Sequence, residues 1–144
     1  MFNKVLLPID LNEPSSWSKS LPAALNLLGA GDGGSLHVIT VMPDFGMSIV
    51  GSYFEAGFED NALHQLGEQL AAWIAENVPD GPDVHPHVMH GRVYDQIISA
   101  ADKLEVDAIV MGSHHPELTD YLIGPNAARV VRHAKQSVFV VRGT

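Results

Sequence analysis

Short apolar runs alternate with stretches whose apolar residues recur at helical spacing along the whole chain. Lys4 to Asp10 reads as a strand with Pro8 near its end, and the strand finishes on a carboxylate. Asn12, Pro14 and Ser15 are helix-start residues, and Trp17, Leu21, Ala24, Leu25 and Leu28 then repeat on one face, with Pro22 set to kink the helix or shorten its first turns. The glycine cluster Gly29 to Gly34 follows a helix rather than a strand, so it reads as a C-cap and turn. Leu36 to Met42 is a second strand halted by Pro43. From Glu59, Leu63, Leu66, Leu70, Trp73, Ile74 and Val78 mark a long amphipathic helix ended by Pro79 to Pro82.

Val84 to His90 is a third strand, and Pro86 inside it removes a ladder donor, which predicts a sheet edge. Tyr94, Ile97, Ile98, Ala101 and Leu104 form the next helical face. The run from Ala108 to Met111 is a buried strand that stops at Gly112; a helix capped by Asn126 buries Ala127, Val130, Val131 and Ala134; and Ser137 to Arg142 is the last strand.

Five strands and four helices in strict alternation predict right-handed crossovers and a parallel sheet covered on both faces. The expected fold is α/β, one doubly wound five-stranded parallel sheet of order 3-2-1-4-5, with residues 1–144 forming one domain. In that order the first and fourth strands are neighbours where the winding reverses, and ligands bind there, outside the carboxyl ends. Asp10 and Gly112 terminate those two strands, so a carboxylate and a glycine-framed loop are predicted on one crevice although about a hundred positions separate them.

Composition narrows the function. Eight Lys plus Arg against seventeen Asp plus Glu gives a net charge of −9, which leaves no basic surface for a nucleic-acid partner. No cysteine is present, so a disulfide framework, a thiolate metal site and a cysteine nucleophile are excluded. The apolar runs are too short to span a bilayer, and Met1 to Leu7 lacks the pattern of a signal peptide, so no membrane insertion and a cytoplasmic location are expected.

The chemistry centres on the loop between Gly112 and Gly124. Loop amides and the free N–H groups of the following helix favour an anion, most often a phosphate. Amides of Gly112, Ser113, Asn126 and Ala127 are candidates to cradle it, Asp10 to accept ribose hydroxyls, and backbone near Val41 to pair with a base. Two plainer readings stand beside these: Asp10 as a carboxylate capping the next helix, and the glycines as tight turns. His85 and His87 share a strand face and His90 takes the other, which reads as a solvated face rather than a metal site. Residues 44–58 carry three glycines and several apolar residues, and read as a lid, a subunit contact or an excursion packed on its own core.

Several stretches carry a family resemblance: Val5 to Asp10, Gly91, Asp107 to Ser113, Val130 to Ala134 and Ser137 to Val141. Together they resemble universal stress proteins of the UspA type over nearly the whole chain. The ATP-binding branch of that family has a glycine, two residues, a glycine, nine residues, a glycine, then Ser or Thr. Gly112 and Gly124 match its outer glycines. His115 stands where the middle glycine would be, eight residues separate it from Gly124, and Pro125 replaces the hydroxyl residue.

The resemblance implies an adenine-nucleotide alpha hydrolase-like fold that binds ATP, with or without Mg2+. Pro8, Ile9 and Asp10 would line the adenosine and Val41 would meet the base. Met111, Gly112, Ser113, His114, His115, Gly124, Pro125, Asn126 and Ala127 would form the phosphate loop, with Asn126 or the two histidines compensating for the altered glycine pattern. It also implies a homodimer through the last strand, with higher oligomers open, and a regulated partner such as a transporter. The leading function is a regulatory module without catalytic residues. The alternatives are a weak ATPase or a nucleotidyl- or phosphoryl-transfer enzyme with His114 or His115 as base, and a dimerisation domain whose crevice is closed.

Overall fold

A computed structural model of the chain describes residues 2–29, 34–43, 58–113 and 125–142; the expectations for 44–57 and for 30–33 lie outside them. The strands are β1 (Lys4–Pro8), β2 (Ser35–Pro43), β3 (Asp83–Gly91), β4 (Ala108–Gly112) and β5 (Ser137–Val141). The α-helices are α1 (Ser20–Leu28), α2 (Phe58–Asn77), α3 (Val93–Leu104) and α4 (Pro125–His133). All pairings are parallel and the order is β3-β2-β1-β4-β5, as the alternation predicts.

Strand alternation divides the core between the two faces of the sheet. Val5, Leu7 and Ile9 point to one face, where they meet Leu21 and Ala24 of α1 and Leu70 and Trp73 of α2. Leu6, Ile39, Ile109 and Met111 point to the other, against Ile97, Ala100 and Ala101 of α3 and Ala127 and Val130 of α4. The central strands are buried on both faces, which is why Val5 to Leu7 and Ala108 to Val110 are apolar without interruption. Burying each large aliphatic side chain there stabilises the fold by roughly 2 kcal/mol.

Two helix starts differ from expectation. The residues after β1 make a short 3-10 turn, Pro14–Ser16, and α1 begins only at Ser20. Pro22 explains the late start: as the third helical residue it lies in the first turn, where no intrahelical acceptor awaits its missing N–H. Asn126 is not the N-cap of α4, because Pro125 already occupies the first helical position, a place its fixed φ suits.

The edge strand β3 carries Pro86 and ends at Gly91, whose φ of +139° turns the chain into α3. Gly29, at φ 75°, closes α1, its N–H donating to the carbonyls of Leu25 and Asn26. Among the described residues no helix is long and apolar enough to cross a membrane.

Candidate functional site

Strand β1 is short. Its ladder with β2 ends where the Ile9 N–H donates to the Ile39 carbonyl at 2.9 Å, while β2 runs on to Pro43 beside β3. N–H and C=O of one strand residue point to the same side, and alternate residues repeat the direction. Ile39 faces β1, so Val41 also presents its backbone groups to that side, where β1 has already turned away.

The space this leaves is a crevice of about 540 Å³ above the carboxyl ends of β1, β2 and β4. Pro8, Ile9, Asp10, Val41, Met111, Gly112 and Asn126 all line it. Seven of the residues named from the sequence thus meet at one mouth, at the point where the strand order reverses.

Asp10 lies two residues past the end of β1 and begins the loop rather than finishing the strand. Its Oδ1 accepts the N–H of Asn12 at 2.9 Å, its own N–H donates to Ser16 Oγ at 2.9 Å, and that hydroxyl donates to the Asp10 carbonyl at 3.1 Å. One carboxylate oxygen therefore fixes the local turn, but it caps no helix: Glu13 precedes the 3-10 turn and Lys19 precedes α1, neither position carrying a side-chain capping bond. Among the described residues Oδ2 has no partner in this network.

Gly112 serves close approach rather than a left-handed turn. A Cβ built there would lie 3.3 Å from the Ser16 carbonyl oxygen and 3.5 Å from that of Ser15. The end of β4 thus presses on the 3-10 turn that holds Asp10, and a side chain would wedge the two apart.

Ser113 departs from expectation. It is buried, its N–H donates to the Val141 carbonyl at 3.0 Å and its hydroxyl donates to the same oxygen at 3.4 Å. Its amide is committed to β5 and does not open on the crevice. Ala127 also faces inward through its side chain, packed in the core, and Pro125 is exposed outside the lining. At the start of α4 the N–H groups of Asn126 and Ala127 have no intrahelical acceptor, and the helix dipole adds partial positive charge there. His114, His115 and Gly124 lie outside the described residues.

The sequence reading missed the contribution of α2. Ala62, Gln65, Leu66 and Gln69 line the crevice on the side of β2 and β3. The available signal was the pair of glutamines four positions apart, each preceding a leucine, Leu66 and Leu70, of the stripe predicted to face inward. Ser16 and Thr40, the latter buried, were missed as well.

The histidines also arrange themselves differently from a solvated face. His37 of β2, buried at 7% exposure, joins His85 and His87 of β3. Its ring stacks on His85 at 4.8 Å and on His87 at 5.1 Å, and Asp83 Oδ2 lies 2.8 Å from His85 Nε2. This cluster lies toward the opposite end of β2 and β3 from the crevice. Burial, then the neighbouring His87 and His85, lower the His37 pKa to about 4; burial first, then His85, lowers that of His87. Among the described residues no three His, Asp or Glu side chains are disposed to hold a metal ion.

Comparison with known proteins adds to this geometry. Residues 1–142 match the sequence model of the universal stress protein family. Universal stress protein G of Shigella flexneri is 32% identical over 145 residues, covering 99% of this chain and 100% of the relative. Among solved structures, hypothetical protein MJ0577 superposes with a TM-score of 0.80 at 21% identity, covering 100% of this chain and 98% of that one. A universal stress protein in complex with cAMP gives 0.60 at 19% identity, covering 99% and 98% of the two chains. An Arabidopsis thaliana family protein with AMP bound gives 0.67 at 14%, covering 99% and 92%.

Proposed function

Because the chain belongs to the universal stress protein family, we propose that its crevice binds an adenine nucleotide, ATP foremost, and that occupancy is a regulatory signal read through self-association or a partner protein. The observation that carries this reading is the meeting of Asp10, Val41, Gly112 and Asn126 on one crevice of about 540 Å³. That volume lies within the range of ordinary small-molecule sites. Neighbours in complex with cAMP and with AMP support the ligand class.

Each group has a role. The free oxygen of Asp10 accepts ribose hydroxyls, and as a charged acceptor it makes stronger hydrogen bonds than a neutral one. The backbone N–H and C=O of Val41 pair with the base edge. The N–H groups at the start of α4 receive phosphate oxygens. Pro125 has no N–H, so the grip passes to Asn126 and Ala127. Signalling passes through the exposed edge of β5, where a second copy pairs to form a homodimer.

Titration calorimetry with ATP, ADP and AMP tests the reading. Binding is expected, weakened roughly ten- to a hundredfold by Asp10→Asn, a change that keeps the turn-forming oxygen and removes the charge. Absence of heat with all three nucleotides would remove the proposal. Turnover negligible beside binding is the expected mark of a module rather than an enzyme.

A further inference from the structure

The glutamines of α2 extend the proposed nucleotide site. Ala62, Gln65, Leu66 and Gln69 form one stripe of that helix, and the stripe continues into Leu70 and Trp73, which are buried against the sheet. From Leu70 onward α2 therefore packs on the core while the turns before it overhang the crevice, and there the stripe changes from apolar side chains to two carboxamides one turn apart. Helix α2 lies along β3, Gly67 approaching Val88, so the glutamines stand on the wing formed by β2 and β3. The phosphate-favouring start of α4 lies on the opposite wing, with Asp10 between them.

Both glutamines are exposed and neither carboxamide has a hydrogen-bond partner among the described residues. Asp10 is the only charged side chain among the described lining, so the β2 wing presents neutral amides beside the free backbone of Val41. That is poor chemistry for a phosphate and good chemistry for the polar edge of a base.

We propose that Gln65 and Gln69 are specificity residues that read the nucleobase and select adenine over guanine, an inference that rests on the nucleotide reading above. A carboxamide offers one donor group and one acceptor, matching the N6 amino group and N7 of adenine. Guanine presents two acceptors, O6 and N7, on the same edge, and leaves the carboxamide oxygen opposed to a lone pair. Leu66 between the glutamines supplies an apolar surface for the face of the ring.

Calorimetric titration of ATP and GTP into the wild-type chain and into Gln65→Ala, Gln69→Ala and the double variant tests this. The positions are exposed, so the variants are expected to fold, and circular dichroism checks that. The wild type is expected to prefer ATP. The double variant should narrow the ATP-to-GTP ratio by about tenfold while still binding GTP as the wild type does, because the ribose and phosphate contacts lie elsewhere. A ratio unchanged in all three variants, or a wild type that does not discriminate, overturns the assignment and leaves the nucleotide site standing. Absence of binding by the wild type to both nucleotides overturns the site and the assignment together.

Discussion

His37 Nδ1 lies 2.9 Å from His87 Nε2 across the β2–β3 pair, one ring donating and the other accepting, with the His85 ring stacked on His37. With both rings protonated the two facing nitrogens would both be donors and the bond would be lost. The unfolded chain takes up a proton on each near pH 6.5, whereas the folded His37 resists until about pH 4. The unfolded state therefore binds more protons in that window, and stability falls as pH drops from about 6.5 toward 4, at a limiting slope of about 1.4 kcal/mol per pH unit for each such group. Lys4 adds to the resistance and Asp83 opposes it. Urea unfolding at pH 7.5, 6 and 5 should show a steep decline for the wild type and a flatter one for His37→Phe, which keeps the stacking and removes the proton site.

The contact between Gly112 and the 3-10 turn predicts a linked loss. Gly112→Ala would place a methyl 3.3 Å from the Ser16 carbonyl oxygen, and the turn must give by a few tenths of an ångström. The expected cost is about 1 kcal/mol, or about 3 °C in melting temperature. Ser16 is hydrogen-bonded to Asp10, so the same variant should bind ATP more weakly. Scanning calorimetry and nucleotide titration on one preparation would check both. Unchanged affinity would mean that the turn does not position the carboxylate.

Asp107 ties the start of β4 to the start of β1. Its Oδ2 accepts the N–H groups of Lys4 and Asn3, both at 2.8 Å, and its own N–H donates to the Lys4 carbonyl at 2.8 Å. Those two donors hold the carboxyl below its ordinary pKa. Its contribution is full above the usual carboxylate range and is lost as pH falls through the depressed value. The group is exposed, so solvent screening limits the effect, and Asp107→Ala should cost about 1 kcal/mol. Asp107→Asn keeps an acceptor oxygen and should recover most of it, which chemical denaturation at pH 7 would measure.

Strand β5 is the end of the sheet beside β4, and Phe139 on it is 36% exposed, touching Phe2 edge-to-face at a centroid distance of 5.5 Å. An unpaired apolar edge of this kind invites a second strand. Light scattering after size exclusion is expected to give the mass of a dimer for the wild type and of a monomer for Phe139→Glu. Equal masses for the two would remove β5 as the interface.

The order of elements, the doubly wound sheet and the meeting of Asp10 with Gly112 were legible in the residues, because strand and helix periodicities report which side of each element is buried and strict alternation allows few topologies. The edge position of β3 was legible for the same local reason, a proline without an N–H. The tertiary structure alone decided what meets across elements. Register set His37 of β2 opposite His85 of β3 and brought it against His87, fifty positions away in the chain. It spent the Ser113 amide on Val141 instead of leaving it to a phosphate, and it carried the turns of α2 before Leu70 past the core so that Gln65 and Gln69 came over the crevice. Periodicity measures burial one element at a time, whereas these contacts depend on how far each strand and helix extends beside its neighbour.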